Sequence, residues 1–409
     1  MPRQQVERDR PGEDDRAEHD SRRQNTGADA RQGCGDGGHS IEGSATTLTD
    51  MSAFDVAIVG AGPAGSTAAY RLATAGAKVR LIDRATFPRD KPCGGGVTLR
   101  AARLLPYAIE AVTEDVVRRV EIGLDYGPRF EREAAAPLVY MTQRKRLDAF
   151  LLEQARDAGA HIEEGKTVDA RELDARYVIA ADGCNGATAK QLGLGGGIVH
   201  GVALEANFPH EARFAGAMTL QMAVMPGGYG WIFPKGDHVN VGVGGNESEG
   251  PTLRAHLRRM CEEHGIDPDA AAETRGYRLP MRTSSTVLVR QRAAVIGDAA
   301  GLVDPFSGDG MYEAFLSAQL VTDAILAGDL DAYATAVERR IAPLTKAGWG
   351  AKAAFDRFPR TTFALARLPI TFRAVEKLLR GELTHPGAAR GLEKGAVKLI
   401  YTVAKAATP

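Results

Sequence analysis

One short stretch restricts this chain more than any other. Asp55 to Val59 is a mostly apolar run, and it passes directly into Gly60-Ala61-Gly62-Pro63-Ala64-Gly65. Such a run suits a buried parallel strand. Ser66 to Ala75 then reads as helix, stopped by Gly76, and Lys78 to Ile82 reads as a second strand ending at Asp83. Gly60 permits a tight turn, Gly62 lets backbone approach a pyrophosphate, and Gly65 lets the helix pack close to the strand. The helix N-terminus offers unpaired N–H groups to phosphates, and a carboxylate about twenty residues on can accept ribose hydroxyls. A lone GxGxxG also serves plain packing. The complete strand–turn–helix–strand context, with Asp83 in place, points to a bound dinucleotide.

Two later segments decide which dinucleotide. Tyr177 to Ala181 is an apolar strand ending in Asp182-Gly183, and Ala293 to Ile296 is another, running into Gly297-Asp298. A simple NAD domain needs neither. An extended FAD needs a late contact for its ribityl chain, and Asp298 is placed to accept a ribityl hydroxyl. Gly308-Asp309-Gly310-Met311 then opens a helix whose N–H groups can face the flavin's pyrimidine carbonyls.

In order and spacing these three motifs resemble the flavoprotein group that includes p-hydroxybenzoate hydroxylase, over roughly residues 54–330. In that group the Asp-Gly segment continues to Ser and Arg; here it reads Cys184-Asn185-Gly186-Ala187-Thr188-Ala189-Lys190, which removes support for an NADPH contact there. The resemblance further implies that Arg144 reaches the flavin side of the cofactor, ahead of an amphipathic helix from Ala149 to Ala158. It also implies that Val168, on a short strand after that helix, meets the adenine through its backbone. A solvated basic helix start is the competing reading for Arg144, although cations are disfavoured at that helix end. The expected cofactor set is Gly60, Gly62, Ala64, Gly65, Asp83, Arg84, Cys93, Gly94, Gly96, Arg144, Val168, Asp298, Gly310 and Met311.

Two further segments resemble the geranylgeranyl reductase family, whose members saturate isoprenoid C=C bonds. The first is Pro92-Cys93-Gly94-Gly95-Gly96-Val97. The second is Tyr229-Gly230-Trp231-Ile232-Phe233-Pro234, then seven residues, then Gly242-Val243-Gly244. Tyr229, Trp231 and Phe233 alternate along a strand and so share one face. Beside a flavin, that face reads as the wall of an isoprenoid site with Gly242 and Gly244; without one it would read as ordinary core. The Cys93 loop carries too little side chain to pack and suits backbone approach to a flavin ring. Cys93 itself has three competing readings: a backbone flavin contact, a redox or acid role in reduction, and an inert small residue. It is the candidate catalytic residue.

The expected fold is α/β. A Rossmann-like FAD-binding domain (51–195 plus 281–330) carries an inserted mixed β-sheet substrate domain (196–280) and C-terminal helices (331–409). Residues 1–50 are polar and lack periodicity, which predicts a disordered tail, unless translation begins at Met51. Cys34, Cys93, Cys184 and Cys261 form no CxxC pair, and His200, His238 and His256 have no metal spacing, so no metal site is expected. There is no secretory signal and no run of ~18 apolar residues, so the cytoplasm is the expected compartment. From Arg339 to Lys405, however, fourteen Lys and Arg face four acids, against a net charge of −1 for the chain. Trp349, Phe355, Phe358, Phe363, Leu365, Leu368, Ile370 and Phe372 interleave with them. That pattern suits peripheral contact with the inner face of a membrane, or equally a helical cap with a solvated basic face. Nucleic acid is not expected as a partner.

The function expected is FAD-dependent saturation of an isoprenoid chain (a geranylgeranyl lipid, a menaquinone tail or similar), with NADPH or a ferredoxin-like protein as reductant. One alternative is an FAD-dependent monooxygenase of the same fold, although the Trp-x-Trp-x-Ile segment of halogenases is missing. Another is a non-catalytic prenyl carrier, against which the intact glycine turn, Asp83 and Asp298 speak.

Overall fold

The computed structural model describes residues 52–391 and, beyond them, 394–395, 398–399, 402–403 and 406. The readings for residues 1–50 and for Met51 lie outside these. Three sheets and two helical layers follow.

The first sheet has six strands in the order Val289–Arg290, Ala293–Val295, Ala175–Ala180, Phe54–Val59, Val79–Ile82, His161–Glu163. All neighbours are parallel except at the Val289–Arg290 edge. Val56, Ala57, Ile58, Val178, Ile179, Ala180 and Val295 are buried, as strands covered on both faces require. Pro63–Thr74 and Met311–Leu326 are the helices that pack together beside it, and Pro63–Thr74 also meets Arg144–Asp157. The first helix starts three residues earlier than the sequence suggests, because Pro63 occupies its first turn, where its missing N–H costs nothing. The Arg144–Asp157 helix starts five residues early. Arg144 forms both hydrogen bonds of an i,i+4 pair with Asp148, and both groups are buried.

The second sheet has seven strands in the order Glu273–Arg282, Ile198–Pro209, His238–Asn246, Tyr229–Pro234, Ala217–Met222, Arg119–Leu124, Arg129–Glu133. It is mixed, since Ala217–Met222 runs parallel to Arg119–Leu124. The sheet draws on both sides of the expected boundary at residue 196, since residues 119–133 pair with strands that lie after it. Val120 and Ile122 alternate onto the face that Met218 and Leu220 already occupy, which is why the strands pair as they do. A third sheet, Gly96–Thr98, Val139–Thr142 and Thr113–Val117, joins the other two.

On the far side of the seven-stranded sheet, helix Leu253–Glu263 packs on His238–Asn246. His264 ends this helix, within 3.1 Å of the Gln221 side-chain nitrogen. Burial, helped by nearby Arg129 and Arg213, pushes its imidazole down to about 4. The folded state therefore binds this proton less readily than the unfolded chain does. Stability from neutral His264 is complete above pH ~6.5 and is lost as pH falls toward 4, by roughly 2–3 kcal/mol. Urea melts at pH 7.5 and 4.5 should show that loss, and it should shrink in His264→Gln.

Four helices follow Met311–Leu326: Asp331–Arg340, Ala342–Arg357, Pro359–Ala366 and Pro369–Leu379.

Candidate active site

A single cavity of about 990 Å³ runs between the two larger sheets and under the C-terminal helices. Its polar end begins where Phe54–Val59 stops. Gly60 has φ +106°, and the Ala61 N–H donates to Asp83 Oδ2 at 2.6 Å, which ties the glycine turn to the end of the neighbouring strand. No side chain caps the Pro63–Thr74 helix. Gly62 is open, with Arg89 Nη2 the nearest atom to a β-carbon placed there, at 3.6 Å. Gly60, Gly62, Ala64, Asp83, Arg84 and Val168 all line this end. Val168 does so from the loop after His161–Glu163 rather than from a strand, because that strand stops once its pairing with Val79–Ile82 ends. Gly65 does not line the cavity. It faces the Gly60 carbonyl and the Ala181 side chain, the packing role the motif gave it.

The middle of the cavity is enclosed by the Cys93 loop, Arg144, Asp298 and the Gly310-Met311 helix start, all of them lining it. Asp298 Oδ2 receives Lys91 Nζ at 3.2 Å and the Tyr277 hydroxyl at 3.1 Å. Burial opposes its ionisation, but Lys91, Arg144 and Tyr277 outweigh burial and hold the carboxyl below the usual carboxylate range. Burial likewise disfavours the Arg144 cation. The Asp148 carboxylate outweighs it, so Arg144 stays charged. Asp309 lines the cavity at the foot of Met311–Leu326, and its Oδ1 accepts the Met311 N–H at 2.8 Å.

The Cys93 loop is gripped by two buried ionisable side chains that the sequence reading missed. Glu205 Oε1 accepts the Cys93 N–H at 2.7 Å. Lys235 Nζ donates to the Gly94 carbonyl at 3.0 Å and to the Thr142 carbonyl. Glu205 is 8% exposed and Lys235 3%. Burial pushes the Glu205 carboxyl up and the Lys235 amine down. Gly95, at φ +71°, leaves no room for a side chain against Lys235 and Thr142, so this loop must be nearly bare backbone. Gly96 begins the Gly96–Thr98 strand and lines the cavity as well.

The other end is apolar. Tyr229, Trp231 and Phe233 form one continuous face, with ring centroids 5.9 and 6.2 Å apart. Gly244 lies beside Tyr229 in register and lines the cavity. Gly242 does not. It sits under the Trp231 indole, where any β-carbon would overlap the ring, so its task is to seat that tryptophan. Trp231 Nε1 donates to Asn240 Oδ1 at 2.8 Å. The C-terminal helices close this end with Leu344, Ala351, Phe355, Phe372, Val375 and Leu378. Several aromatics expected at a membrane surface therefore face inward: Phe363 is buried, and Phe306 stacks on Phe355. Phe358, Leu368 and Val375 remain exposed, next to Arg357, Arg360, Arg367 and Arg373.

A bare-backbone turn at a helix N-terminus, an ionised Asp298 and a glycine cradle fit an extended dinucleotide carrying a flat ring. The apolar end fits a long hydrocarbon.

A family model described as FAD binding domain matches residues 53–171, and one described as geranylgeranyl reductase catalytic domain matches residues 206–272. The menaquinone reductase of Mycobacterium tuberculosis is 32% identical over 324 residues, 68% of this chain and 77% of that protein. An uncharacterized protein of Methanosarcina barkeri is 29% identical over 370 residues, covering 84% and 92% of the two chains. Among solved structures, a geranylgeranyl bacteriochlorophyll reductase-like protein of Thermoplasma acidophilum superposes with a TM-score of 0.68 at 22% identity, over 86% of this chain and 98% of that one. A flavin-dependent brominase gives the same TM-score at 17% identity over the same shares, a likeness of fold alone.

Proposed function

Because this chain belongs to the geranylgeranyl reductase family of FAD-dependent oxidoreductases, we propose that it saturates C=C bonds in the isoprenoid chain of a lipid or quinone. The observation that carries this reading is the continuity of the cavity. The glycine turn and Asp298 lie at one end, the Tyr229–Trp231–Phe233 face at the other, and both line the same cavity.

In this reading the FAD pyrophosphate lies on the Pro63–Thr74 helix N-terminus, with Asp83 and Arg84 toward the adenosine and Asp298 toward the ribityl chain. The flavin ring lies against the Cys93–Gly96 loop, Arg144 and Gly310-Met311. Bound FAD, once reduced, supplies a hydride. The protein's own contribution is to lay the alkene along the aromatic face, to exclude water with the C-terminal helices, and to deliver a proton. Cys93 meets the ring edge through its backbone, which Glu205 and Lys235 hold still. The electron source is NADPH or a ferredoxin-like protein, and the segment after Asp182-Gly183 supports neither over the other.

The test is a single turnover. Protein reduced anaerobically with dithionite is mixed with geranylgeranyl lipid or menaquinone, and the oxidised-flavin absorbance is followed. Its return on adding substrate is the expected result. Flavin that stays reduced with every polyprenyl compound, yet consumes NADPH and dioxygen when phenols are added, would favour a monooxygenase instead.

We also propose that the enzyme meets its lipid at a membrane surface. Exposed Phe358, Leu368 and Val375 among four exposed arginines support this, and no helix of the described residues is long and apolar enough to cross a bilayer. The protein should sediment with anionic but not neutral liposomes. Arg360→Glu with Arg367→Glu should abolish that binding while FAD content stays constant.

A further inference from the structure

We infer that Glu205 is the acid that protonates the substrate alkene. This rests on the reductase reading above, which requires a proton source at the cavity wall.

The sheet register places the residue. Glu205 pairs with Gly242, and Gly242 pairs with Trp231, so the three form one row across the cavity face. Because residue 242 has no side chain, the Trp231 indole lies over it, next to Glu205 in the row. Glu205 lines the cavity together with Gly201 and Ala203 of its own strand. Of the residues that the seven-stranded sheet contributes to the cavity wall, Glu205 is the one carboxylate among the described residues. It also touches the Cys93 loop through the 2.7 Å hydrogen bond from the Cys93 N–H, which sets it at the junction of the ring-binding and hydrocarbon-binding parts.

Its neighbours leave it able to carry a proton. The charged groups facing it are Lys235, Arg275 and Asp90. Lys235 is committed to the Gly94 and Thr142 carbonyls, and Arg275 pairs with Asp90 at 2.7 Å and Glu273 at 3.2 Å. Burial then dominates and favours the neutral carboxyl. Asp298, Asp309 and Tyr229, which also line the cavity, are engaged in other contacts. Asp298 is held ionised by Lys91. Asp309 uses Oδ1 for the Met311 N–H, and its Oδ2 is sealed from the cavity. The Tyr229 hydroxyl donates to the Ser307 carbonyl.

The step balances. One alkene carbon receives the hydride that reduced FAD supplies, which leaves FAD oxidised by two electrons. The other carbon takes the Glu205 proton as the carboxyl O–H bond breaks and a C–H bond forms. The resulting carboxylate regains its proton from water.

Glu205→Gln tests this, because the amide oxygen still accepts the Cys93 N–H while no acidic proton remains. The expected result is unchanged FAD content and melting temperature, with single-turnover alkene reduction slowed roughly a hundredfold or more. Wild-type reduction should fall as pH rises through the carboxyl's titration, and the residual rate of the variant should not follow that profile. Infrared difference spectra of the FAD-loaded proteins give a readout free of turnover: a protonated-carboxyl band should be present in wild type and missing in the variant. A variant that reduces alkene within threefold of wild type, or identical infrared spectra, overturns the assignment. A wild-type protein that reduces no polyprenyl compound overturns the reductase reading itself, and the infrared comparison still judges Glu205.

Discussion

Gly65→Ala should purify without FAD. A β-carbon at this position would strike the Gly60 carbonyl oxygen and lie 3.2 Å from the Ala181 Cβ. Neither neighbour can give way, since both belong to buried segments of the six-stranded sheet and its glycine turn. The helix must therefore tilt away from the Phe54–Val59 strand. Its N-terminus then no longer points its N–H groups at the pyrophosphate, although Gly65 itself touches no cofactor. Overpacking of this kind costs about 1–3 kcal/mol, and the loss of ligand binding energy adds to it. The ratio of flavin to protein absorbance should fall to near zero, and the melting temperature should drop by several degrees. Gly76→Ala is the control. Gly76, unlike Gly65, has a positive φ, +89°, but nothing lies within 4 Å of a β-carbon there. Alanine there should cost only about 1 kcal/mol of backbone strain and leave FAD bound. Full flavin content in Gly65→Ala would contradict the account of the glycine turn.

Ala351→Phe has the second large effect, and it separates long substrates from short ones. Ala351 lies on Ala342–Arg357 and lines the apolar end of the cavity, near Leu344 and Phe355. Its helix is anchored by Lys352 to the Gly227 carbonyl and by Asp356 to the Gly227 N–H at 2.8 Å, so it cannot easily back away. A phenyl ring there fills space that a four-unit prenyl chain needs and a two-unit chain does not. Reduction of the geranylgeranyl substrate should fall about ten- to a hundredfold, as overpacking by 1–3 kcal/mol implies. FAD content and reduction of a geranyl analogue should hardly change. Equal losses on both substrates would mean that the C-terminal helices do not enclose the chain.

Most of the cofactor end was legible in the sequence, because its signals are local. Strand, glycine turn, helix and acidic strand end lie within thirty residues, and each follows from a constraint on φ or on close packing. The aromatic face was legible for the same reason: period-two spacing puts Tyr229, Trp231 and Phe233 together in any strand. What escaped depends on pairing across long separations. Nothing near Arg119–Leu124 announces that it will lie beside Ala217–Met222. Glu205 and Lys235 carry no local signal, because their contacts with the Cys93 loop span more than a hundred residues of sequence. Glu205 does share parity with Ala203, which was a usable sign that it faces the cavity once the strand direction is known. Gly242 and Gly244 belong to one motif, but only Gly244 lines the cavity, whereas Gly242 makes room for Trp231. The C-terminal aromatics fit a membrane surface or a helical cap equally well in the sequence, and only the fold shows that Phe355, Phe363 and Phe372 turn inward.

The central claim is that one cavity brings a flavin and an isoprenoid chain together for reduction. Mass spectrometry of the lipid after anaerobic incubation with dithionite-reduced protein tests it most directly. The account predicts product heavier by two hydrogens for each saturated double bond, formed by wild type and greatly reduced in Glu205→Gln. Flavin-loaded protein that leaves the mass of every polyprenyl lipid and quinone unchanged would contradict it.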